Sequence, residues 1–359
     1  MATSRCRPLQ PRRSARRQSR RRPCPRHRSC AASARSAATS PAPAARAASS
    51  SIATGPCRPA AARLLPVNSP EIHVVAGAIA DAQGRVLIAQ RPRGRHMAGR
   101  WEFPGGKLAE GEEPYAGLQR ELAEELGVTV RAARPLIRLR HRYPDRRVFL
   151  DVWQITAFDG EPQARESQAL AWARPDELPQ HDLIEADQAI VTALRLPRLA
   201  RVLSSGESLL SIRGSAAQTL LLPTVDEGGV EPMPEAVSAA RGAGHRVFML
   251  GTDVDAVRVA ATAGCDGVVL RWSGQQLHVD RRGAFLVGVH CEDAESAVRA
   301  VAEGAHFLVM APSVRPLPER LLERLCYVVG RPVFAGWYPD ARRLERLQQL
   351  GAHGCAVRR

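Results

Sequence analysis

The sequence predicts an α/β protein in two parts, an α/β/α sandwich on a mixed sheet followed by a small (β/α)8 barrel. Three observations predict this. Over 71–195, β-branched apolar runs are interspersed with amphipathic helical stretches, the rhythm of a layered mixed sheet. From 208 to the C-terminus, eight apolar strand-like runs alternate with Ala-rich helical stretches, the rhythm of a closed parallel barrel. The 359 residues, 45% of them apolar, suffice to bury two cores. The expected layout is a tail over 1–66, the sandwich over 67–196, a linker over 197–207 and the barrel over 208–359.

The tail holds fifteen Arg, no Lys and no acidic residue. With so few large apolar side chains it cannot offset the entropy of ordering, and we expect disorder. Its composition fits an organelle transit peptide, a basic arm, or translation from upstream of a true start near Val67 or Glu71. Outside it, 36 basic residues face 36 acidic ones, so the net charge of +15 belongs to the tail. No specific nucleic-acid binding is expected from the folded part. The eight Cys include no C-x-x-C pair, which argues against a zinc site and fits a reducing cytoplasm. No apolar run approaches the roughly 18 residues of a membrane span.

Residues 71–80 and 84–90 are apolar runs joined by Asp81–Gly84, a hairpin signal. Trp101–Phe103 reads as a short strand stopped by Pro104 and the Gly105–Gly106 pair. The spacing predicts a helix over 114–126: Pro114 suits its first turn, Gly127 its C-terminal stop, and Leu118, Leu122 and Leu126 recur at four-residue steps. Strands are expected near 134–142 and 147–157, then a helix over about 185–195. The barrel runs are 208–213, 219–225, 246–251, 267–271, 285–290, 306–311, 332–336 and 353–357.

The chemistry concentrates in 106–128. Glu121, Glu124 and Glu125 fall at i, i+3 and i+4, on one helix face. Bare like charges there repel, and none has a basic residue four positions on. A divalent cation turns that repulsion into a site, and hard oxygen ligands suit Mg²⁺ or Mn²⁺ with a phosphate-bearing substrate. The full pattern is Gly106, five residues, Glu112, seven residues, then Arg120-Glu-Leu-Ala-Glu-Glu-Leu-Gly-Val128. Seven such identities arise by chance at on the order of one start position in 10⁸.

This pattern is a complete Nudix box, and 71–195 resembles the MutT-type, 8-oxo-dGTP diphosphatase branch of the Nudix family. The resemblance implies metal ligation by Glu121, Glu124, Glu125 and the Gly105 carbonyl, with Arg120 orienting the carboxylates and Glu112 supporting the loop. It implies substrate contacts at Arg91, His96, Glu102, Phe103, Pro104 and Gly105, with the purine packing at Phe103. Tyr143-Pro144-Asp145 matches an aromatic-Pro-Asp turn lining the base pocket. Glu166 matches an extra metal ligand or base, followed by Ser167 where the branch has Gly. Asp187 stands where the branch reads the oxidised purine with an Asn; Asp serves there if protonated, or favours another base.

The second half resembles a thiamine-phosphate-synthase-like barrel. The carriers are Gly288-Val-His-Cys-Glu-Asp-Ala-Glu295, Gly304-Ala-His-Phe-Leu-Val-Met-Ala-Pro312, Pro332-Val-Phe-Ala-Gly336 and Ala263-Gly-Cys-Asp-Gly-Val268. The positions that act in the synthase are replaced: Gly251-Thr252 for its Asn-Asp pair, Leu222–Asp226 for its phosphate cradle, and Gly336-Trp337 for its Gly-Gly turn. A barrel that binds a ligand or packs on the sandwich is therefore expected, rather than a working synthase. Asp253, Asp255, His290 and Glu292 form a further metal-cluster candidate.

The expected function is Mg²⁺- or Mn²⁺-dependent hydrolysis of 8-oxo-dGTP to the monophosphate and pyrophosphate in the cytoplasm. Two alternatives stand beside it. One is hydrolysis of another nucleoside diphosphate derivative. The other is a binding or regulatory protein acting through a thiamine-phosphate-related barrel.

Overall fold

The computed structural model describes residues 71–358, apart from 205–206, 208, 210–211, 213–215, 224–231, 272–273, 275–276, 278–282 and 313–315. The expectations for 1–66, and for most of 208–213, lie outside the described residues. In chain order the sandwich comprises β1 (Glu71–Ile79), β2 (Val86–Gln90), β3 (Trp101–Glu102), β4 (Gly105–Lys107), α1 (Pro114–Leu126), β5 (Thr129–Arg142), β6 (Arg147–Asp159), β7 (Leu170–Ala173) and α2 (Gln188–Arg195). One sheet has the order β4-β1-β6-β5, with β1 and β6 parallel and the other pairs antiparallel. A second, antiparallel sheet has the order β3-β2-β7.

The helix expected over 114–126 forms with those bounds. Leu118, Leu122 and Leu126 are fully buried against Val75, Ile79 and Leu87. Gly127 ends the helix at φ 72°, its N–H bonded to the Ala123 carbonyl, a conformation that costs a residue with a Cβ. The expected 71–80/84–90 hairpin is corrected. Its turn forms, with Asp81 accepting from the N–H groups of Gln83 and Arg85. Beyond it, β1 and β2 enter different sheets and pair only through the Ala80–Val86 bridge. β4 and β6 already occupy both edges of β1, which leaves none for β2.

The second part comprises β8 (Leu199–Val202), β9 (Thr219–Leu222), α3 (Pro234–Gly242), β10 (Arg246–Gly251), α4 (Val254–Thr262), β11 (Gly267–Arg271), β12 (Leu286–Cys291), α5 (Ala294–Ala302), β13 (Phe307–Met310), α6 (Glu319–Val329), β14 (Val333–Tyr338), α7 (Leu344–Gln349) and β15 (Gly354–Val357). Its eight strands are parallel and close into a barrel. The interior is packed: Phe248, Phe307 and Phe334 meet edge to face at 5.2 and 6.0 Å. One strand departs from expectation. Leu199–Val202, inside the stretch expected as a linker, is the strand that joins β15 to β9. Arg201 interrupts its apolar pattern, so four residues carried too little signal.

The sandwich abuts the N-terminal ends of the barrel strands. Arg195, 6% exposed, bonds Asp176 at 3.1 Å and the carbonyls of Gly283 and Ala284, and Asp176 also takes Arg246 at 2.7 Å. At the same end His353 Nε2 donates to the Leu196 carbonyl at 2.9 Å. Its Nδ1 is then a bare, buried lone pair without an acceptor for a second proton. Burial lowers the His353 pKa from 6.5 to about 4. The unfolded chain therefore takes up this proton first as pH falls. Stability from the neutral ring is complete above pH 6.5 and is lost toward pH 4, by on the order of 3 kcal/mol. His353→Gln, which keeps a donor for Leu196, should flatten the drop in unfolding free energy between pH 7 and 4.5 by that order. An equal drop in both proteins refutes this.

Candidate active site

A cavity of about 400 Å³ opens between the sandwich elements, walled by β1, the Glu102–Lys107 segment, α1, β6 and the approach to α2. Of the residues expected from the sequence, Arg91, His96, Glu102, Phe103, Gly105, Glu121, Glu125, Tyr143, Glu166 and Asp187 all line it.

On the carboxylate side, Arg120 works as a buckle rather than a wall. Its guanidinium bonds Glu112 at 2.8 and 2.9 Å, Glu121 at 2.8 Å, Glu124 at 3.4 Å and the Lys107 carbonyl at 3.2 Å. The Arg120 guanidinium holds the Glu112 carboxyl down at about 2. Gly106 leaves room for Glu121: a Cβ there would stand 2.2 Å from its carboxylate. Glu125 accepts from the Gly105 N–H at 3.0 Å. Burial, and then the charges of Glu166, Glu102 and Glu121, push its carboxyl up to about 7. The wall thus holds more negative charge than the protein neutralises. That surplus, the all-oxygen donor set and the space at Gly106 fit a hard divalent cation. Among the described residues, no three such groups are gathered into one cluster. Glu124 is exposed and lies outside the cavity wall.

Glu166 is held across the mouth by Arg95 at 2.9 Å. Ser167 sits at φ 59°, in the left-handed region, at the position where the resemblance expects Gly. Gln168 fastens this turn, accepting from the Glu166 N–H at 2.8 Å and donating to the Glu125 carbonyl at 3.1 Å.

The opposite wall carries a buried acid beside the Arg91–Glu102 pair. Asp187, 3% exposed, accepts from the Phe103 N–H at 2.9 Å. Burial, and then the charge of Glu102, raise its carboxyl well above the usual carboxylate range. Arg91 pairs with Glu102 and donates to the His96 carbonyl at 2.8 Å. Tyr143 is buried between His141 and His96, and burial raises its hydroxyl to about 12.

Two expected contacts are absent from the wall. Asp145 is turned to its neighbour Arg146 at 2.5 Å, and Arg146 lines the cavity instead. Pro104 is buried behind it, its carbonyl accepting from the Gly77 N–H at 2.9 Å. Sequence reasoning missed Arg95, Lys107 and Arg146. Lys107 had a signal, as the sole lysine of the chain directly after Gly-Gly. In the barrel, Asp253 caps α4 by accepting from the Ala256 N–H, and Asp255 pairs with Arg258 at 3.4 Å. Only His290 and Glu292 of that expected cluster line the barrel-mouth cavity.

A NUDIX domain family model matches residues 75–193. The CTP pyrophosphohydrolase of Escherichia coli (strain K12) is 39% identical over 130 residues, 36% of this chain and 96% of that protein. The chain belongs to the Nudix family. The 8-oxo-dGTP diphosphatase of Proteus vulgaris is 44% identical to this Nudix chain over 91 residues, 25% of the chain and 81% of that protein. That of Escherichia coli (strain K12) is 31% identical over 125 residues, 35% and 97% respectively. The chain is thus a Nudix pyrophosphohydrolase, of a family that uses divalent metal ions. Among the described residues, no helix is long and apolar enough to cross a membrane.

Proposed function

We propose that this Nudix enzyme hydrolyses 8-oxo-dGTP to the monophosphate and pyrophosphate in the cytoplasm, removing a mutagenic precursor from the nucleotide pool. The observation that carries the reading is Asp187, a buried carboxyl held well above the usual carboxylate range by burial and then by Glu102, in the same cavity as the acidic helix face; in its neutral form it reads the base. With one oxygen on the Phe103 N–H, it still offers an acceptor and an O–H donor. That pair complements an oxopurine edge, where a carbonyl adjoins an N–H.

Glu121, Glu124, Glu125 and the Gly105 carbonyl would hold Mg²⁺ or Mn²⁺, which when bound neutralises phosphate oxygens and makes water more acidic. Arg91, His96 and Tyr143 hold the substrate beside Phe103. Lys107 and Arg146 add positive charge to the same cavity. Water attacks the β-phosphorus. Its oxygen stays with pyrophosphate, the bond to the oxygen bridging the α-phosphorus breaks, and Glu166 accepts the water's proton.

A second reading is hydrolysis of CTP or another nucleoside diphosphate derivative. Asp187 also favours it, because a neutral carboxyl equally matches cytosine's amino group and ring nitrogen. The similar CTP pyrophosphohydrolase points the same way. Initial rates on 8-oxo-dGTP, dGTP and CTP with Mg²⁺, with products identified, separate the two. We expect kcat/KM on 8-oxo-dGTP to exceed that on dGTP by about 100-fold or more. Equal rates on the two sink the sanitising reading, and fastest turnover of CTP establishes the second.

A further inference from the structure

Between the sandwich and α6 lies a groove of about 380 Å³ whose charge the fold leaves unbalanced. Arg138 and Phe149 form one wall, and Arg320, Arg324 and Tyr327 the other. Arg320 and Arg324 stand one turn apart on α6 and are exposed, so their charges repel. Among the described residues neither has an ion-pair partner; the acid that opens the helix, Glu319, is taken by Arg346 at 2.6 Å. Glu323 lines the groove without pairing to either. Arg138 uses its Nε on the buried Asp151 at 3.3 Å, leaving the two terminal nitrogens of its guanidinium. Three arginines thus line one groove with a single carboxylate, Glu323.

The aromatic groups there are already engaged. Arg140 lies over the Tyr327 ring at 3.8 Å, Phe149 packs on it at 4.7 Å, and its hydroxyl donates to Glu71 at 3.4 Å. They make a firm back wall, not a platform for a base. We infer that this groove binds a compact polyphosphate anion, the chemistry shared by free pyrophosphate and the phosphate chain of a nucleotide. Planar guanidinium forks match phosphate oxygens in pairs, and a small polyanion satisfies all three at once. The groove shares no residue with the cavity that holds Glu121 and Asp187, so it is a second site. Its walls come from both parts of the protein, so an anion there fastens α6 to β5.

The inference does not depend on which nucleotide the enzyme hydrolyses. Calorimetric titration of the full chain with pyrophosphate, in EDTA, tests it without turnover. One equivalent should bind, and Arg320→Gln with Arg324→Gln should weaken binding about tenfold or more. Arg320→Lys with Arg324→Lys should restore part of it. Both arginines are exposed, so the Gln pair should keep wild-type kcat with Mg²⁺, which verifies its fold. A non-hydrolysable nucleoside triphosphate that binds no tighter than tripolyphosphate assigns the site to free polyphosphate, and tighter binding assigns it to a nucleotide. Unchanged pyrophosphate affinity in the Gln pair, or full displacement by sulfate at matched ionic strength, overturns the proposal.

Discussion

Glu125→Gln should lower kcat for nucleotide hydrolysis by about 10²–10⁴ while leaving the fold intact. The side-chain oxygen that accepts from the Gly105 N–H at 3.0 Å survives in Gln. What disappears is the negative charge, crowded by Glu166, Glu102 and Glu121. In metal-free buffer near pH 8 its burial, and then that crowding, oppose folding, because the folded protein raises this carboxyl above its unfolded value of 4.5. The Gln variant should therefore unfold at the same temperature as wild type or higher without metal. Added Mg²⁺ should stabilise wild type more than the variant. Glu124→Gln should cost less turnover, because Glu124 is exposed and touches Arg120 only at 3.4 Å. Thermal unfolding with and without Mg²⁺, read beside kcat, checks the pattern. Unchanged turnover in both variants would remove the acidic helix face from the chemistry.

The acidic helix was legible because its information is local. Leucine spacing, an N-terminal proline and a C-terminal glycine set α1, and the same register places Glu121 and Glu125 on the cavity. The β1–β2 hairpin misled for the converse reason. Its turn is local, but pairing was decided by β6, some 70 residues on, and by a three-residue Gly-Gly-Lys strand with no apolar pattern. The barrel was readable from seven apolar runs, while its remaining strand carries Arg201, which pairs with Glu207. In the pocket Tyr143 lies where the turn predicts it, but Arg146 takes the place expected of Asp145. Sequence spacing locates that turn, and only the pairing of two adjacent charged residues decides which one faces inward.

Asp187 carries the second large effect, and its pH dependence tests the protonated carboxyl directly. Burial and Glu102 raise its folded pKa above 3.8, so the neutral, donating form persists at pH values where an exposed Asp is ionised. Base recognition through that O–H should be present at low pH and lost as pH rises through the folded pKa. Asp187→Asn keeps an acceptor for the Phe103 N–H and a permanent N–H donor. Its kcat/KM should stay flat where that of wild type falls on the alkaline side. Asp187→Leu leaves the Phe103 N–H without its partner and removes both base contacts. It should lose about 10²–10⁴ in kcat/KM on the preferred nucleotide and much less on a poor one, because only the preferred base used the lost contacts. A parallel alkaline fall in wild type and Asp187→Asn would assign that titration elsewhere and leave Asp187 as packing. A flat Asn profile, with selectivity collapsing only in the Leu variant, makes the neutral carboxyl the element that reads the base.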